Sequence, residues 1–266
     1  MTTFGKFRLR ENPLGVALVV SCCAAALSYL LPPAYSATAV GLWFLVATYA
    51  LTLREPPSAG PTNAADSSAN SVADPAADPV DPASPEADSA ARWGLSLGGL
   101  LDREPLSGPR LARATLRALG YAAALALITL PPFWLGFVFW YGAEGAFTPT
   151  VDWRLLDEAL GQLLVIALPE EAFFRGYLQT SLEERWPPRH RVLGAPLGWA
   201  VVVTSAVFAL GHLATVPEPA RLAVFFPSLA FGWLRARTGG IGAGVLYHAS
   251  CNLFASFLGR GYGLLP

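Results

Sequence analysis

The sequence predicts an all-α polytopic membrane protein, a transmembrane helical bundle of about seven spans with a disordered cytoplasmic linker. Three observations carry that prediction. The chain of 266 residues is 53% hydrophobic and only 14% charged, whereas a soluble domain carries about a quarter charged residues. Its mean hydropathy is +0.43. Runs without a single charge extend over Pro13 to Leu31, Ala34 to Leu53 and Leu119 to Ala143. A run of about 20 apolar residues matches the ~30 Å hydrocarbon core of a bilayer, and one soluble core cannot bury several such helices on every side.

The elements follow in order. Spans are expected near 13–31, 35–53, 119–141, 156–181, 195–215, 221–237 and 239–258. Lys6, Arg8 and Arg10 before the first run imitate a signal peptide. That run exceeds a typical signal core and further spans follow, so it reads as an uncleaved span. Residues 1–54 then form a two-span hairpin that looks like an appendage, because the chemically interesting residues come later. Residues 55–92 are rich in Pro, Ala, Ser and Asp and cannot bury enough apolar area to offset chain entropy, so they read as a disordered linker. Residues 93–118 mix apolar and charged positions and read as an interfacial segment tethered by Trp93. Residues 119–266 hold the remaining spans and all the candidate chemistry.

Charge narrows the partners. The 18 basic and 19 acidic residues sum to −1. Seven of the acids lie in 55–91, where there is no Lys or Arg, which leaves 18 basic against 12 acidic residues elsewhere. Basic residues do not cluster with aromatics on a polar domain, so no nucleic-acid partner is expected. With a cytoplasmic N-terminus, 14 Lys and Arg fall on the inner side and 3 on the outer side, which favours that orientation. Cys22, Cys23 and Cys251 sit inside apolar runs and read as small buried hydrophobes. The usage of 17 Arg to one Lys suggests a GC-rich bacterial genome and hence a bacterial inner membrane.

Ionisable groups inside a span mark function, because each costs at least about 2.5–3.5 kcal/mol there. The fourth span carries Glu170, Glu171 and Arg175 in an otherwise apolar stretch. Glu171 and Arg175 are four apart and can pair on one helix face. Glu170 is turned about 100° from Glu171 and has no cation on its own helix, which suits a general base. Two of the three histidines also lie in apolar helices: His212, four after Phe208, and His248, four before Asn252. The set can perform hydrolysis. Glu170, assisted by His212, can take a proton from water, while His248 and Asn252 donate to the developing oxyanion. The same atoms suit a catalytic zinc ion, with two His, a carboxylate and a water, and spacing alone does not choose. A proton-coupled transporter also uses buried Glu and His, but no inverted repeat is visible. A non-catalytic membrane scaffold or chaperone is a further alternative.

Depth counting leaves a mismatch. At 1.5 Å per residue, Glu170 lies about 21 Å below the start of its span near 156, and His212 about 26 Å along its span from 195. The two run in opposite directions, so the count places them at different depths. Pro169 is expected to kink the fourth span.

These signatures resemble the CPBP intramembrane protease family, which includes the CAAX prenyl endopeptidases and the bacterial Abi proteins. EExxxR matches Glu170, Glu171 and Arg175; FxxxH matches Phe208 and His212; a His followed four later by Asn matches His248 and Asn252. The resemblance covers roughly 150–258 with the motifs in family order. It implies a helical membrane fold and a metal-independent glutamic protease without cofactor. Glu170 and His212 would activate water, and His248 and Asn252 would form the oxyanion hole. Glu171, Arg175 and Phe208 would be structural. The implied partner is a membrane-associated protein or peptide in the bilayer. A bacterial source argues against a prenylated substrate and points to C-terminal processing or sorting of bacterial proteins.

Overall fold

A computed structural model describes residues 12–53, 89–102, 105–149 and 153–264. The basic N-terminal group and the expected linker up to residue 88 lie outside the described residues.

The described residues are all-α apart from one small hairpin. Helix α1 (Pro13–Leu30) begins where Asn12 accepts the Gly15 N–H at 3.0 Å. Pro13 sits at its first position, where no N–H is needed. Helix α2 (Pro33–Thr52) returns antiparallel and donates from Trp43 Nε1 to the Val20 carbonyl at 2.9 Å. Helix α3 is Gly108–Tyr141. Helix α4 runs over 154–185 and alternates α-helical segments with two π-helical ones, Gly161–Ala167 and Ala172–Gln179. Strands β1 (His190–Val192) and β2 (Ala195–Leu197) pair antiparallel. Their two-residue turn, Leu193-Gly194, has φ of 49° and 79°, the left-handed pair that suits a tight hairpin. Helices α5 (Trp199–Thr215), α6 (Phe225–Thr238) and α7 (Gly242–Gly261) complete the chain.

Helices α1, α2 and α3 are long and apolar enough to cross a membrane, and α5 is a shorter apolar helix. Their outward faces expose large apolar side chains, including Val19 at 63%, Leu127 at 78% and Phe139 at 88%. Water does not tolerate so much apolar surface, whereas lipid does. Helix α4 is the centre: every residue from 171 to 180 is buried. The fold is therefore that of an all-α membrane protein.

The structure revises the picture of the N-terminal hairpin as an appendage. Helix α2 packs along α4, and α1 packs on α5. Phe44 lies 5.3 Å from Phe173 and 5.5 Å from Phe174, ring centre to ring centre. Trp93 also departs from its expected place at the lipid interface. It is buried, with its ring 5.9 Å from Tyr177, and the next carbonyl, of Gly94, accepts from Ile241 N–H at 3.0 Å. The segment after the linker thus docks on α4 and on the start of α7.

Pro169 explains one close approach. It has no N–H to offer the Val165 carbonyl four residues back, so that oxygen loses its usual helical partner. Gly41 of α2 sits directly against this oxygen, leaving no room for a Cβ. Gly41→Ala is expected to destabilise the protein by about 1–3 kcal/mol, since backbone must shift to admit the methyl. Thermal melting in detergent checks this, and an unchanged melt would remove the contact from the account.

Candidate functional site

The fourth span becomes a polar stripe. Glu171, Arg175, Gln179 and Glu183 recur every four residues on α4. In a plain α-helix, positions four apart drift about 40° per step, so the stripe would wind away from one partner. The π-helical stretch Ala172–Gln179 places more residues in each turn and reduces that drift. The stripe meets α6, which runs in the same direction. Arg175 Nη2 donates to the Ser228 carbonyl at 3.1 Å and to Ser228 Oγ at 2.7 Å. Gln179 Nε2 donates to the Gly232 carbonyl at 3.2 Å and to Glu183 Oε1 at 2.8 Å. Gly232 has no Cβ because Val201 and Gln179 occupy that space.

Glu171 and Arg175 form the expected i,i+4 pair, with Arg175 Nε 3.5 Å from Glu171 Oε2. Both side chains are fully buried. The guanidinium lies between two rings, 4.7 Å from Phe208 on α5 and 5.1 Å from Phe231 on α6. Its charge is therefore met by a carboxylate in one direction and by ring faces in others.

The other carboxylate oxygen of Glu171 reaches α7. His248 Nδ1 donates to Glu171 Oε1 at 3.1 Å. Gly244 makes room for this carboxylate, since a Cβ there would approach Glu171 Oε2 to 2.9 Å. The imidazole stacks on Phe231 at 4.6 Å with 16° between the planes. With Nδ1 committed to Glu171, the ring presents Nε2 to Glu170, 3.8 Å from Oε2. Glu170 Oε2 is buried and makes no hydrogen bond among the described residues. A buried carboxylate oxygen without a hydrogen-bond partner is costly, and Glu171 Oε2 shares that condition apart from its ion pair with Arg175.

His212 stands on the other side of Phe208. Its Nδ1 lies 3.0 Å from the Phe208 carbonyl and can donate to it, and the two rings are 4.4 Å apart. Phe208 is in turn 5.8 Å from His248, edge to face. Among the described residues no hydrogen bond or ion pair joins Glu170 to His212. Asn252, one turn beyond His248, donates from Nδ2 to Gln162 Oε1 at 2.9 Å. Glu170, Glu171, Arg175 and His248 therefore touch directly, while His212 and Asn252 flank them.

The depth mismatch came from span boundaries. Helix α4 continues to Arg185, and α5 begins only at Trp199, after the hairpin. Glu170 is then 15 residues from the C-terminal end of α4, and His212 is 13 residues from the N-terminal end of α5. At 1.5 Å per residue these are about 22 Å and 20 Å, which puts both residues at one level.

Sequence reasoning missed Gln162, Ser228 and Phe231. The signal for Ser228 was present: Ser228 and Gly232 are four apart, matching Arg175 and Gln179. Gln162 was legible as the lone amide in the apolar run before Pro169. Nothing in the sequence distinguished Phe231 from other core aromatics. The candidate zinc ligands Glu170, His212 and His248 do not converge, since no group of three or more His, Cys, Asp or Glu forms a metal cage among the described residues.

Arg175→Ala is expected to cost about 3–5 kcal/mol, because it leaves Glu171 buried without its cation. Arg175→Lys should recover only part of this, since an ammonium does not reproduce the flat stack or the guanidinium fork. Melting temperatures of the two variants check both statements; wild-type melts would show that the pair is not structural.

Residues 152–254 match the family model described as Type II CAAX prenyl endopeptidase Rce1-like. No curated protein and no solved structure matches the chain. The matched stretch contains all three signatures and every residue just placed around Glu170, and over those residues it supports assigning the chain to the CPBP family of CAAX-type endopeptidases.

Proposed function

We propose that this protein is a glutamic-type endopeptidase that hydrolyses peptide bonds of membrane-associated proteins with water activated at Glu170. The observation that carries the proposal is the Glu170 carboxylate oxygen, buried, without a hydrogen-bond partner and 3.8 Å from His248 Nε2.

Water placed against Glu170 Oε2 loses a proton to that carboxylate as its oxygen attacks the scissile carbonyl. His212, level with Glu170 and with Nε2 available, assists by taking or returning the proton. The carbonyl oxygen becomes an oxyanion. His248 turns its Nε2 toward that oxygen as a donor while Glu171 holds Nδ1. Asn252 donates its second amide hydrogen while Gln162 holds the first. Preorganised donors of this kind contribute about 10²–10³ each in rate. Collapse of the tetrahedral intermediate breaks the C–N bond, and the proton held by the Glu170–His212 pair passes to the leaving amine. Glu171, Arg175 and Phe208 hold the set in register without touching substrate.

The proposed setting is the inner membrane of a bacterium, with the N-terminus cytoplasmic and a role in C-terminal processing or sorting of bacterial proteins. The 14-to-3 distribution of Lys and Arg supports the orientation. In domain terms, residues 119–266 are the catalytic unit, 1–54 its bracing hairpin, 55–92 a linker and 93–118 an interfacial segment.

Glu170→Gln is expected to abolish cleavage of a membrane-anchored peptide library by the reconstituted full-length protein, at least about a thousandfold, with an unchanged melting temperature. Cleavage near the wild-type rate would overturn the base assignment. His248→Ala should lower the rate about 10²–10³. Cleavage by the wild-type protein should also persist after chelation; chelator-sensitive cleavage restored by zinc would replace Glu170-activated water with a metal reaction.

A further inference from the structure

Helix α3 is longer than a span needs. Its 34 residues reach about 51 Å at 1.5 Å per residue, against ~30 Å of hydrocarbon. The uncharged part begins at Ala118, so the first turns extend to headgroup level and carry Arg110, Arg113 and Arg117. These three occupy i, i+3 and i+7, which is one helix face.

That face borders a cavity of about 570 Å³ between α3, α4 and α7, a size within the range of ligand sites. The deeper wall is aliphatic: Leu163, Leu164 and Leu168 from α4, and Val245 and Leu246 from α7. Among the described residues, three arginines line it and no acid does. Asp102, outside the lining, binds Arg110 at 2.6 Å. Arg117 Nη2 donates to the Arg237 carbonyl at 3.4 Å, which holds that side chain at the mouth.

The geometry points to a binding site for one anionic phospholipid, its phosphate held by Arg113 and Arg117 and an acyl chain lying along the leucines of α4. Charge complementarity and the two-part lining decide the occupant. Basic pockets between membrane helices suit anionic headgroups, and arginine presents a fork that matches phosphate. A peptide in the same groove would bring an N–H and a C=O for every residue, and the leucine wall offers them no partners. An acyl chain requires none. None of Glu170, His212, His248 and Asn252 lines the cavity, and its reading does not depend on the proposed reaction.

The test uses the full-length protein in nanodiscs of equal phosphatidylglycerol and phosphatidylcholine, followed by release and native mass spectrometry. The expected result is one retained phosphatidylglycerol, favoured at least about tenfold over phosphatidylcholine. The double variant Arg113→Gln/Arg117→Gln should lose that preference, while Arg189→Gln/Arg191→Gln at the β hairpin should keep it. Leu164→Trp fills the groove without altering its charge and should give the same loss, which keeps the test decisive if the arginine variant does not fold. Equal retention of both lipids by the wild type, or full preference in both Arg113→Gln/Arg117→Gln and Leu164→Trp, would overturn the proposal. Displacement of the lipid by an acidic peptide would also overturn it, in favour of a peptide site.

Discussion

The buried guanidinium of Arg175 is the constraint on which the rest of the structure depends. A cation inside a membrane bundle must be met from every direction or it is not tolerated. Here three helices contribute directly. Glu171 of α4 supplies the counter-charge, Ser228 of α6 the oxygen acceptors, and Phe208 of α5 and Phe231 of α6 the ring faces. Through the second oxygen of Glu171 the same network reaches His248 on α7. Pairing of this kind seldom adds net stability over apolar packing, so its value here is register: α4 to α7 can meet in only one arrangement that satisfies the charge.

The backbone of α4 carries a second constraint. Pro169 interrupts the helical hydrogen bonding immediately before the glutamates, and π-helical turns stand on either side of it. Irregular turns cluster where function needs an unusual side-chain direction. On α4 they keep a four-residue polar stripe against α6 while leaving Glu170 turned toward His248. The glycines at 41, 232 and 244 belong to the same design, because each leaves room for a polar atom of α4: the Val165 carbonyl, the Gln179 amide and the Glu171 carboxylate.

The division between the two glutamates follows from these contacts. Both lie in the same stretch of α4 and differ by one position. Glu171 is ion-paired with Arg175 at one oxygen, without a hydrogen bond there, and is hydrogen-bonded to His248 at the other. Glu170 is left with an oxygen that no protein group satisfies. Adjacent carboxylates thus stand in different surroundings: Glu171 is tied to Arg175 and to His248 Nδ1, and the same histidine turns its Nε2 toward Glu170.

Much of this was legible in the amino-acid order. Hydropathy runs located the helices, because lipid demands about 20 apolar residues whatever the neighbours are. The cost of burying charge singled out Glu170, Glu171, Arg175, His212 and His248, and the four-residue spacing foretold the Glu171–Arg175 pair. Phe231 looked like any other core aromatic; Ser228 and Gln162 left a trace in spacing and composition, but sequence alone could not say which groups they would meet. Nor could it bring Glu170 and His212 to one depth, because that depends on where α4 ends and α5 begins, and a β hairpin displaces both limits by several residues. The sequence determined which residues are too expensive to bury without purpose. Only the tertiary structure decided which partners make their burial tolerable, because those partners come from other helices and are chosen by packing.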